Sequence, residues 1–110
     1  MRSCPAPLLR TARTASLLLG LAAALSTNAQ APPARLGLCA ACHGERGIAS
    51  GKTIPNLAGQ NLEYLRLALL QYQSGARDVP AMRAASAMLN AAELDQVLQW
   101  YAVQRPEAAP

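Results

Sequence analysis

The sequence predicts an all-α fold of three to four short helices, on three observations. Leu62, Leu65, Leu69 and Tyr72 recur at the spacing of one helical face. Asn90 and Glu93 stand in capping-box register at the head of a second such run, Leu94, Val97, Leu98 and Tyr101. The Val/Ile-rich stretches from which strands are built are missing. With 110 residues, the chain has room for one domain at most.

The first residues read as an address rather than as part of that domain. Arg2, Arg10 and Arg13 form a basic stretch, and Ala15 to Leu25 an apolar run too short to span a bilayer comfortably. Cleavage after Ala29, with Thr27 at the −3 position, satisfies the small-x-small rule. Cleavage after Ala31, with Ala29 at −3, also does, but makes Pro32 an awkward first mature residue. The expected organisation is a secretory signal peptide at 1–29 (alternatively cut at 31), a folded domain at 30–106 and a disordered tail at 107–110. The alternative is an uncleaved signal anchor; with cleavage, no stable membrane span remains and the destination is the periplasm.

Cleavage removes Cys4 and leaves two cysteines, an even number for an oxidising compartment. It also removes three basic residues and no acidic ones, so seven basic residues face six acidic ones and the formal charge falls from +4 to +1. The basic character belongs mostly to the leader. Nucleic-acid binding is therefore not expected, since the remainder contains no Lys/Arg-rich run.

The chemistry concentrates in Cys39-Ala40-Ala41-Cys42-His43. On a helix, cysteines at i and i+3 share a face, and a histidine at i+4 from the first projects beside them. Two thiols and an imidazole can then meet one planar group, and C-x-x-C-H is the signature of c-type haem attachment. A zinc site needs four ligands, and His43 is the sole histidine. A dithiol redox pair stays open as the alternative, although the βαβ surroundings usual for one are missing. About eighty residues without a phenylalanine make a thin core, which a buried haem would thicken.

In chain order, Pro32-Pro33 open a short first helix over Ala34 to Cys42. Gly44 to Gly59, rich in glycine and lacking periodicity, is a loop long enough to wrap something. The next helix spans Leu62 to Ser74, capped by Asn61 and stopped at Gly75. A loop over Gly75 to Ala81 leads to a short helix from Met82 to Ala87. In the last helix, Asn90 and Glu93 form the cap, Leu89 and Leu94 the hydrophobic staple, and Trp100 lies at the margin of the apolar stripe. That stripe is expected to pack on the first helix.

Across the whole mature chain these stretches resemble a class I c-type cytochrome, similar to small soluble mono-haem proteins of the bacterial periplasm and to one half of their two-haem relatives. The matching segments are Cys39 to Gly44, Ile54 to Gln60, Tyr64-Leu65, Tyr72 to Arg77, Met82-Arg83 and the helix from Glu93 to Tyr101. Two departures stand out: Pro32 and Pro33 shorten the first helix, and Ala34 replaces the glycine found in many relatives.

The resemblance implies a cytochrome c fold wrapped around one covalently attached haem c per chain. Cys39 and Cys42 would form its thioethers and His43 would bind the iron, with the Pro55 carbonyl oriented on the second ring nitrogen. Met82 is the expected sixth ligand and Met88 the alternative. Met82 stands at the end of a loop able to swing over the haem, and relatives place their methionine seven residues before the leucine preceding the last cap. Met88 is expected to be core filler. Arg77 or Arg83 could pair with a haem propionate, although a solvated surface charge is the default for each.

With both axial positions filled, such a site carries one electron at a time and the chain is not expected to be an enzyme. Its partners would be redox proteins, with the chain a monomer or weak dimer and electrostatic steering weak. The alternatives are a haem subunit of a periplasmic dehydrogenase or oxidase complex and, behind it, a haem-based sensor.

Overall fold

A computed structural model describes residues 30–108 and is all-helical among them; the leader at 1–29, with its cleavage site, lies outside these residues. Four α-helices follow one another: α1 over Gly37–His43, α2 over Leu62–Ser74, α3 over Pro80–Ala87 and α4 over Ala91–Ala102. A 3₁₀ turn, Pro106–Ala108, takes up the start of the tail expected to be disordered from Glu107. Residues 109–110 lie outside the described residues.

Helix α1 begins three residues later than the sequence suggests. The prolines have no N–H to donate, and the chain first closes in tighter turns, Leu36 N–H to Pro33 O at 3.0 Å and Cys39 N–H to Leu36 O at 3.0 Å. Helix α2 has the expected bounds: Asn61 Oδ1 accepts from the Tyr64 N–H at 3.0 Å, and Gly75 ends the helix with φ of 82°.

Helix α3 starts two residues before the expected Met82. Pro80 is a favoured first helical residue because its missing N–H would have no partner there. The Val79 carbonyl takes the first helical bond, from the Arg83 N–H at 3.0 Å. Met82 therefore lies in the first turn of a helix, not on a swinging loop.

At the head of α4 the capping box is complete, with Asn90 Oδ1 on the Glu93 N–H and Glu93 Oε2 on the Asn90 N–H, both at 2.9 Å. Leu89 and Leu94, the two staple residues, are buried.

One core unites these pieces. Leu36, Leu65, Leu89, Leu94, Val97, Leu98, Trp100 and Tyr101 form a single buried cluster, and Leu38, Cys39 and Ala40 of α1 pack against it. The packing of α4 on α1 agrees with the sequence reading, whereas Trp100 is buried rather than marginal. Across the α2–α4 seam, Arg66 pairs with Asp95 at 2.7 Å and also contacts Glu63. The Arg35 guanidinium donates to the Met88 carbonyl at 3.1 Å, tying the entry of α1 to the turn before α4.

Candidate functional site

Helix α1 carries Cys39, Cys42 and His43 on its last turn, and its abrupt end makes the rest of the site possible. Gly44 leaves the helix with φ of 80°, and a Cβ there would fall 2.2 Å from the Ile48 carbonyl oxygen, so only glycine can reverse the chain at this point. Both thiols are free. Cys42 is exposed, whereas Cys39 is half-buried against the core, which pushes its thiol pKa up.

His43 is buried, with 6% of its surface accessible. Its Nδ1 lies 2.9 Å from the Pro55 carbonyl oxygen. A carbonyl can only accept, so Nδ1 carries a proton, and in the neutral imidazole the lone pair is then on Nε2. The tautomer is thereby set for metal ligation through Nε2.

Pro55 reaches His43 because the loop is folded back on itself. The Gly47 carbonyl accepts from the N–H groups of Leu57 (2.8 Å) and Ala58 (3.1 Å), and Asn56 Oδ1 accepts from the Ala49 N–H at 2.8 Å. Two bonds from α4 hold the near end. Tyr101 donates its hydroxyl to the Gly44 carbonyl at 3.0 Å, and Trp100 donates its indole N–H to the Glu45 carbonyl at 2.7 Å. Sequence reasoning took these two side chains as packing alone. The available signal was their polar atoms, since a buried indole or phenol usually finds an acceptor.

The methionines are placed differently from expectation. Met88, expected to be core filler, caps the end of α3 with 59% of its surface exposed. Its backbone is committed to the turn before α4, which directs the side chain to solvent. Met82 is half-buried, stands apart from the core cluster and keeps its thioether uncommitted.

Arg77 is a surface charge held by its neighbours: its Nε donates to Gln71 Oε1 at 2.7 Å, and its guanidinium lies 5.7 and 5.6 Å from the ring centres of Tyr64 and Tyr72. Arg83 is exposed and lies against Gly75.

The donor set fits a covalently held haem. Two free thiols and a buried imidazole of fixed tautomer occupy one helical turn, and no cluster of three His, Cys, Asp or Glu residues suited to a metal ion exists among the described residues. A cavity of about 310 Å³ between α2 and α4, lined by Leu69, Leu70, Leu94 and Leu98, is separate; no motif side chain lines it.

The chain is similar to known proteins. No family model matches the chain. Cytochrome c4 of Pseudomonas aeruginosa is 33% identical over 88 residues, covering 80% of this chain and 43% of that protein. The thiosulfate dehydrogenase electron acceptor of Thiomonas intermedia is 31% identical over 105 residues, 94% of this chain and 48% of its own length. Cytochrome c-554(548) of Halomonas halodenitrificans is 38% identical over 50 residues, 46% of this chain and 60% of its own. The chain spans about half the length of the curated relatives it matches. With the motif helix and the all-helical architecture, these likenesses identify the class: the chain belongs to the c-type cytochromes and has their fold.

Proposed function

We propose that the protein is a one-electron carrier holding one haem c through thioethers from Cys39 and Cys42, with His43 and Met82 as the axial ligands. The observation that carries this reading is the His43 imidazole, buried in the same helical turn as two free thiols and fixed by Pro55 with Nε2 available. When bound, the haem would supply a reversible ferrous–ferric couple.

The chain's own part is to hold that couple rigid and dry. Cys39 and Cys42 would clamp the group to α1, and His43, unable to rotate while bonded to Pro55, would present a constant ligand field. A thioether from Met82 would favour the reduced metal and close the iron to small molecules, suiting transfer rather than catalysis. Met82 is preferred to Met88 because it is half-buried and free of the core, while Met88 faces solvent.

Export to the periplasm, with cleavage after Ala29, completes the proposal. No helix among the described residues is long and apolar enough to cross a membrane. The partners would be redox proteins. One relative is named as the electron acceptor of a thiosulfate dehydrogenase, which supports a second reading in which a periplasmic dehydrogenase delivers electrons to this chain within a complex. Co-purification of a larger catalytic chain would favour that complex; a monomer exchanging electrons with several donors would favour the free carrier.

The central test is expression in cells able to mature c-type haem, followed by denaturing electrophoresis with haem staining. The expected result is a stained band at the mature mass. A haem-free mature chain with a Cys39–Cys42 disulfide would refute the proposal and restore the dithiol reading.

A further inference from the structure

The loop from Gly44 to Gly59 hangs from two consecutive residues of α4. Its first two carbonyls, Gly44 and Glu45, accept from the Tyr101 hydroxyl and the Trp100 indole, and its last residue, Gly59, donates its N–H to the Tyr101 carbonyl at 3.0 Å. Between these anchors lies Pro55. The middle of the loop closes on the same ring: a Cβ at Gly47, whose φ is 78°, would lie 2.9 Å from Tyr101 Cδ1 and 2.6 Å from the Ala58 nitrogen.

We infer that Trp100 and Tyr101 are positioning residues for the His43 imidazole. They act on it through the loop that carries Pro55, without a hydrogen bond to the ring itself. This rests on the reading of His43 as the iron ligand. Tyr101 is wholly buried, and burial pushes its hydroxyl above the usual phenol range, which keeps it a donor at neutral pH. Its bond to Gly44 pins the residue directly after His43, and the Trp100 bond pins the next. Losing either lets the loop drift, which lengthens the Nδ1–H to Pro55 bond, lowers the basicity of Nε2 and weakens support for the ferric state.

The test compares Tyr101→Phe and Trp100→Phe, which keep an aromatic ring while removing the donor, with Arg66→Met, which breaks the α2–α4 ion pair away from the loop. In the haem-loaded reduced protein, NMR follows exchange of the His43 Nδ1 proton with deuterated solvent, and redox titration follows the midpoint potential. Each aromatic variant is expected to speed ring-proton exchange about tenfold, the equivalent of one neutral hydrogen bond, and to raise the potential. Arg66→Met should lower the melting temperature and change neither reading. Unaltered exchange in both aromatic variants, or an equal acceleration in Arg66→Met, would overturn the inference. If Tyr101→Phe fails to accumulate, Trp100→Phe alone decides. A wild-type chain that takes up no haem would overturn the His43 reading instead, which keeps the two failures distinct.

Discussion

The Nδ1–H of His43 donates to the carbonyl oxygen of Pro55 at 2.9 Å, across twelve residues of loop. A backbone acceptor cannot be deleted by substitution, but it can be loosened, and glycine in place of Pro55 releases the fixed φ that aims the carbonyl. Weaker donation from Nδ1 makes Nε2 a poorer base and disfavours ferric iron. Pro55→Gly should raise the midpoint potential by about 30 to 60 mV, a three- to tenfold change at 59 mV per decade for one electron. An unchanged potential in redox titration would show that this contact does not tune the ligand.

On the proposed reading, the thiols would anchor the haem in a chain with little core of its own. Cys39→Ala or Cys42→Ala should each leave at most one thioether and reduce haem retention on a denaturing gel, while the double variant should yield little folded protein. Full helicity by circular dichroism in the double variant, without haem, would show that the leucine cluster around Tyr101 is sufficient.

Local chemistry explains what the sequence disclosed. Asn61, Gly75 and the Asn90–Glu93 box mark helix ends through short-range bonds to their own backbone, so α2 and the start of α4 were legible to the residue. That Cys39, Cys42 and His43 lie together on one helix was legible because helical spacing alone brings them side by side. The start of α3 was not: proline reads equally as a loop residue or as a first helical residue, and the choice depends on the preceding carbonyl. Met88 was misplaced because burial at a helix end is decided by the turn that follows. The Trp100 and Tyr101 bonds to Glu45 and Gly44 join positions more than fifty residues apart, a relationship that no local pattern encodes.

The capping box permits a direct measurement. Asn90→Ala removes the acceptor for the Glu93 N–H and should cost about 1 kcal/mol by chemical denaturation. Asn90→Ser should recover most of it, since a serine hydroxyl can accept the same bond. Equal stability of the alanine variant and wild type would mean that the Leu89–Leu94 staple alone sets the start of α4.

Acid should loosen the α2–α4 seam. The Asp95 carboxyl is held below its ordinary range, first by its hydrogen bond from Arg66 and then by Gln99. A lowered carboxylate pKa stabilises the fold above the unfolded value, and that contribution fades as pH falls through the folded value. The difference in melting temperature between wild type and Asp95→Asn should therefore be present above about pH 5 and vanish in stronger acid. Being exposed, the pair should also weaken in high salt. A gap independent of pH would assign the effect of the substitution to shape rather than charge.

The sixth ligand is the point on which the function turns. A thioether must leave solvent to reach iron, and the two candidates differ in their exposure. Met88 is 59% exposed at the end of α3, its carbonyl held by Arg35, so Met88→Ala should change stability by no more than about 0.5 kcal/mol. Met82 is half-buried and outside the core cluster, on a first helical turn whose N–H groups are not all tied. Met82→Ala should remove the methionine-to-ferric-iron absorption band and open the reduced protein to carbon monoxide. It should also lower the potential by on the order of a few hundred millivolts, within the roughly 0.8 V that axial ligands command. In Met88→Ala the band should persist. The reverse pattern would transfer the ligand role to Met88 and require α3 to unwind at its end, and carbon monoxide binding to the unmodified protein would point to an open site and the sensor reading.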